Sequence, residues 1–119
     1  MEVLKKRMGF ILKEEGIQIS FDLFQIGPDY LLVATGGDGP HIGAVTLGEK
    51  DHFRSLSAGT HKEAIVTESM YEILRERTSA VIWIAGGIHV DHITKQQIQL
   101  VKKLCLKAAN QIGDWFEQE

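Results

Sequence analysis

Two short stretches of this 119-residue chain combine side chains and backbone suited to holding a ligand. "GGDGPHIGAV", residues 36–45, sets four glycines, a proline and a histidine between two apolar runs. "GGIHVDHIT", residues 86–94, repeats the glycine–histidine theme and adds a carboxylate. Gly36, Gly37 and Gly39 permit positive φ and let a ligand approach the backbone. Successive N–H groups in such a turn can form an anion-binding nest. The plain alternative is a turn whose glycines only solve chain geometry. No Lys-Ser/Thr pair follows them, so a P-loop is excluded; a strand rather than a helix follows, so a dinucleotide fingerprint is excluded too. The second turn carries more chemistry. Gly86 and Gly87 end an apolar strand, and His89, Asp91 and His92 crowd into four residues before a helix start, where unpaired N–H groups favour an anion. Its plain reading is capping and turn chemistry.

Metal binding is the rival use of the same residues. His89, Asp91 and His92 offer two imidazoles and a carboxylate, with His41 or His61 to complete a shell. His-x-x-His from a loop, with no Cys pair and no HExxH helix, makes this the weaker reading. Ser55, Ser57 and Ser69 lie in no nucleophile elbow, so no serine stands out as a nucleophile. His52, in a polar segment, reads as solvated. The lone Cys105 cannot form an internal disulfide and falls inside a helical pattern, as a buried thiol does.

The elements that must position these turns follow from periodicity. "GFILKEE" reads as a short edge strand whose charges discourage intermolecular pairing. "IQISFDLFQIG" alternates, with Ile17, Ile19, Phe21 and Leu23 on one face, until the phase slips at Phe24, where a bulge or bend is expected. A turn at 27–29 leads into "YLLVATGG", an apolar central strand, and "HIGAVTL", 41–47, reads as a third; together they suggest an antiparallel meander. The polar segment 48–59 reads as a long loop, a candidate lid or partner contact. Thr60 and Glu63 have capping-box spacing ahead of a helix whose inward stripe is Val66, Met70, Ile73 and Leu74. "AVIWIAGG", 80–87, reads as a strand covered on both faces, with Trp83 in the core. Thr94 and Gln97 open a second helix with Ile98, Val101, Leu104, Cys105, Ala108 and Ile112 inward. The order strands–helix–strand–helix points to an α+β, two-layer sandwich with a mainly antiparallel sheet and two amphipathic helices, one domain over residues 1–119.

Composition narrows the function. Hydrophobic residues at 44% and charged residues at 24% are ordinary for a globular protein. A formal charge of −3 argues against a nucleic-acid binder. No apolar run reaches the roughly 18–20 residues that span a bilayer, and no signal-peptide core opens the chain, so a cytoplasmic protein without membrane contact is expected. Trp115 and Phe116 near the end either pack back on the monomer or form a homodimer contact.

Taken together, "TGGDGPHIGAV" (35–45), "GTHKEAIV" (59–66) and "AGGIHVDHITKQQI" (85–98) resemble the prenylated-flavin chaperone family, the LpdD-like proteins, which accompany gallate- and vanillate-type aromatic-acid decarboxylases. The resemblance runs from Gly16 to Ile98 with the motifs in order. It implies a non-catalytic accessory protein that binds or delivers prenylated FMN, or FMN, to a decarboxylase. By position it implies that Gly36, Gly37, Gly39 and His41 form one wall of the flavin site, that His61 and Lys62 match an "HKE" element together with Glu63, and that Gly86, Gly87, His89 and Asp91 match a "G-x-H-x-D" element. His92 departs from the family pattern, and the 48–58 segment is shorter than in many members. Two alternatives stand beside it: a small His/Asp lyase or hydrolase, with or without metal, and a structural subunit of a decarboxylase that binds no ligand. The flavin reading requires that the 36–41 and 86–92 bends, some fifty positions apart, fold side by side.

Overall fold

The computed structural model describes residues 4–49, 51–58 and 62–119, with the side chains of residues 62 and 63 left outside that description. The described residues form β1 (Leu4–Glu14), β2 (Ile17–Ile26), β3 (Asp29–Gly37), β4 (Ala44–Glu49), β5 (His52–Ser57), α1 (Lys62–Leu74), β6 (Ile82–His89) and α2 (Lys95–Gln118). Glu15 and Gly16, both at positive φ, make the tight β1–β2 turn, and Gly27 at φ +58 makes the next. These strands give the expected start of a meander.

The meander ends there. The sheet order is β1-β2-β3-β6-β4-β5, so β6 enters between β3 and β4 and runs parallel to β3. The other neighbours are antiparallel. The α+β two-layer expectation therefore holds, while β3 and β4 are separated rather than paired. β4 begins at Ala44, leaving His41 in the connection rather than in the strand. The polar 48–59 segment is not a loop: its residues 52–57 form β5, which hairpins back on β4 with Gly48 opposite Phe53. The edge strand β1 is eleven residues long rather than short. The bulge also sits one strand over, between Lys6 and Met8 of β1, directly opposite Phe24 and Leu23. The capping box expected at Thr60 and Glu63 lies outside the described residues.

One face of the sheet meets both helices. Ile19, Phe21 and Leu23 of β2, Leu32 and Ala34 of β3, and Ile84 of β6 are fully buried against Met70 and Leu74 of α1 and Ala108 and Ile112 of α2. Burying each large aliphatic side chain contributes on the order of 2 kcal/mol, and this is what fixes the helices on the sheet. α2 starts as its sequence dictates: the Thr94 hydroxyl accepts from the Gln97 N–H, and the Gln97 side chain accepts from the Thr94 N–H. At its far end Trp115 and Phe116 pack back onto Tyr30, with ring centroids 6.1 and 4.8 Å away. Among the described residues no helix covers the opposite face of the sheet. Trp83 stands 44% exposed there, so β6 is covered on one face only and Trp83 is not core.

Candidate functional site

Because β3 and β6 are parallel neighbours, both strands end at the same edge of the sheet, and their following turns must meet. Gly36 pairs with Ile88 and Gly37 with His89. Beyond the register, the Asp38 N–H donates to the His89 carbonyl at 2.6 Å, and the Asp91 N–H donates to the Asp38 carboxylate at 3.2 Å. The Gly43 N–H donates to the Gly86 carbonyl at 2.8 Å. The two glycine–histidine bends are thus one structure, placed at the C-terminal ends of parallel strands, where α/β sheets open their binding crevices.

The geometry explains several of the glycines without a ligand. A Cβ on Gly36 would lie 2.8 Å from Ile19 Cα; on Gly37, 2.9 Å from the His89 carbonyl carbon; on Gly87, 2.5 Å from the His41 carbonyl carbon. All three are closer than any side chain tolerates, so these positions are glycine because neighbouring backbone crosses them. Gly39 differs, since its nearest neighbour is the His89 side chain at an ordinary 3.7 Å. The Asp38 amide is already engaged by His89, and the Asp38 carboxylate stands beside Asp91. The centre of the first turn is therefore a poor nest for an anion.

The histidines cluster at this junction. The His41 Nδ1–H donates to the Gly39 carbonyl at 2.9 Å, and the His41 and His89 rings stand 6.4 Å apart, edge to face. The His89 Nε2–H donates to Asp91 Oδ1 at 2.8 Å, which fixes the tautomer. Both partners are more than half exposed, 56% and 71%, so solvent screens the pair. It suits a hydrogen-bonding wall. His92, at φ +52, turns the chain toward α2. Among the described residues no three His, Cys, Asp or Glu side chains converge closely enough to hold a metal ion.

Next to the junction lies a cavity of about 400 Å³, bounded by the ends of β3 and β6 and by the two helices. Gly86, Gly87, His89 and His92 border it. Its apolar wall is Val66 of α1, Ile88 and Val90 at the end of β6, and Ile98 and Val101 of α2. Ala34, Thr67 and Ile93 complete the lining. Thr67 is buried and satisfied internally: its hydroxyl donates to Ala64 O at 3.2 Å and accepts from Thr46 at 2.9 Å. A cavity of this size with a mostly apolar lining and a polar rim matches small-molecule sites.

Of the ten residues expected at a flavin site, Gly86, Gly87 and His89 border this cavity. Gly36, Gly37, Gly39, His41 and Asp91 stand at the adjoining junction, and the side chains of His61 and Lys62 lie outside the described residues. Sequence reasoning missed the part of the apolar lining that comes from the helices. Val66 and Val101 fall on the helical stripes read as core, and nothing local marks a stripe position as facing a cavity.

Comparison with known proteins agrees with the motifs. Residues 13–117 match the model of the prenylated flavin chaperone LpdD-like domain. The chain belongs to that family. It is 33% identical over 114 residues to protein LpdD of Lactiplantibacillus plantarum, spanning 91% of this chain and 84% of that one. The family places the chain among chaperone or accessory proteins. A crystal structure of a chaperone complex for yeast 20S proteasome assembly shares the fold, with a TM-score of 0.65 over 98% of this chain and 99% of that one. At 8% identity this likeness concerns the fold alone. Among the described residues no helix is long and apolar enough to cross a membrane.

Proposed function

We propose that this LpdD-like chain, one domain over residues 1–119, holds prenylated FMN in the cavity beside the β3–β6 junction and hands it to a prenylated-FMN-dependent decarboxylase in the cytoplasm. The observation that carries this reading is the apolar cavity of about 400 Å³ opening beside a histidine-bearing turn in a member of this family. The ring system, made more apolar by prenylation, goes against Val66, Ile88, Ile98 and Val101. His89, fixed by Asp91, and His41 meet its carbonyls and nitrogens at the rim. Gly39 leaves room there for close approach.

The phosphate belongs away from Asp38 and Asp91, whose carboxylates repel a dianion. Lys62 and His61 belong to the element that the family resemblance assigns to the flavin site, so we assign the phosphate to them. A carrier that must release its cargo binds it moderately, and turnover chemistry is not required of it. Titrating the protein with prenylated FMN and with FMN, read by flavin fluorescence, tests this. Saturable quenching, tighter for the prenylated form and weakened in Lys62→Ala, is expected. No binding of either flavin would end the reading.

A further inference from the structure

The uncovered face of the sheet carries a second kind of information. On the four strands β3, β6, β4 and β5, alternate residues present Val33, Trp83, Ala85, Val45, Leu47 and Leu56 to that face. Charged groups border it directly: Asp22, 3.0 Å from Lys6, stands opposite Val33 on one side, and Arg54 stands opposite Leu47 on the other, with Glu49 toward the β4–β5 turn. Trp83 is 44% exposed and Leu56 59% exposed. A half-exposed indole in an interior strand, ringed by aliphatic side chains and no charge, has the composition of a core with one side missing.

We infer that two copies of this chain pack these faces together across a two-fold axis, sheet on sheet. The area is right for it. The whole six-stranded face, with the charged β1–β2 margin as a polar rim around the apolar strip, is about 4.8 Å per strand and about eight residues long, roughly 750 Å², close to the ~800 Å² each partner gives to a stable complex. The relief is self-complementary. Ala85 lies two residues beyond Trp83 on the same strand and pairs with Val33 on one side and Val45 on the other, so a bulky knob stands beside a shallow hollow. A two-fold axis between those positions sets each Trp83 over the partner's hollow, and an indole fills the ~10 Å between packed sheets. An apolar strip whose only charges are at its borders, Asp22 beside Val33 and Arg54 beside Leu47, offers little to select a highly charged foreign partner, which favours a second copy as the occupant. The flavin cavity lies on the helix side of the sheet, so the dimer carries two cavities opening outward.

Sedimentation velocity of the full chain, from low micromolar to submillimolar concentration, tests this. The expected wild-type species has twice the 13.3 kDa chain mass, with or without flavin. Trp83→Glu should raise the dissociation constant at least about thirtyfold. Leu56→Lys, at a position too exposed to threaten the monomer fold, should also weaken the dimer. Ile65→Glu, on the exposed side of α1, should leave it intact. A wild-type chain that stays monomeric throughout overturns the inference, as does a dimer that survives both Trp83→Glu and Leu56→Lys. A monomer that captures a decarboxylase through Trp83 would transfer this face to the foreign partner.

Discussion

Replacing Gly87 with alanine should pull the two turns apart. The new Cβ would lie 2.5 Å from the His41 carbonyl carbon and 3.0 Å from the Gly43 nitrogen, all backbone. Ordinary carbon contacts need about 3.5–4 Å, so the 41–43 segment must retreat by about 1 Å. That takes the 2.8 Å bond from Gly43 N–H to Gly86 O beyond hydrogen-bond range. Losing this bond costs about 1 kcal/mol, and the overpacking costs about 1–3 kcal/mol more. The total, about 2–4 kcal/mol, corresponds to a fall in Tm of roughly 10 °C for a chain of this size. Gly39→Ala is the comparison, because its Cβ meets only the His89 side chain at 3.7 Å, and its cost should stay within about 0.5 kcal/mol. Calorimetry or thermal circular dichroism of the two variants reads the difference directly. If Gly87→Ala melts with the wild type, the crossing of residues 41–43 over β6 is wrong.

Thr94→Ala removes the cap that accepts from the Gln97 N–H and should cost about 1 kcal/mol in urea denaturation, with Thr94→Ser restoring most of it. Burial pushes the Cys105 thiol up to about 12, so alkylating reagents should leave it untouched in the native protein and modify it on unfolding. The Tyr71 phenol is also raised, mainly by burial. In both cases the folded state keeps a proton that the unfolded state releases. The Cys105 contribution is therefore complete below the ordinary thiol value of 9.0 and is lost as pH climbs from there toward about 12; that of Tyr71 is complete below the ordinary phenol value of 10.0 and is lost above it. Each group can add a slope of at most about 1.4 kcal/mol per pH unit, and Cys105→Ala should remove its share of that alkaline loss.

The sequence carried local periodicity well and long-range pairing poorly. The alternation of Ile17, Ile19, Phe21 and Leu23, and the stripe from Val101 to Ile112, each follow from the face an element must bury. The place of β6 does not. Adjacent strands in the chain usually pair, so β3 and β4 read as neighbours, whereas β6 displaces β4 through a contact more than forty residues away. Trp83 misled for a related reason: a continuous apolar run reads as buried on both faces, and only the placement of both helices on one side reveals the open one. The glycines were visible but ambiguous. Gly36, Gly37 and Gly87 answer to crossing backbone, and only Gly39 opens onto the histidine cluster. Residues 52–57 looked like a loop because an edge strand with one exposed face need not be apolar.

The most direct measurement is methyl NMR of the protein titrated with prenylated FMN. Binding in the cavity predicts large shifts for Val66, Ile88, Val90, Ile98 and Val101, with Val33, Val45 and Leu56 on the open face unmoved. Saturable binding that shifts only the open-face methyls, or leaves the cavity methyls where they were, would contradict it.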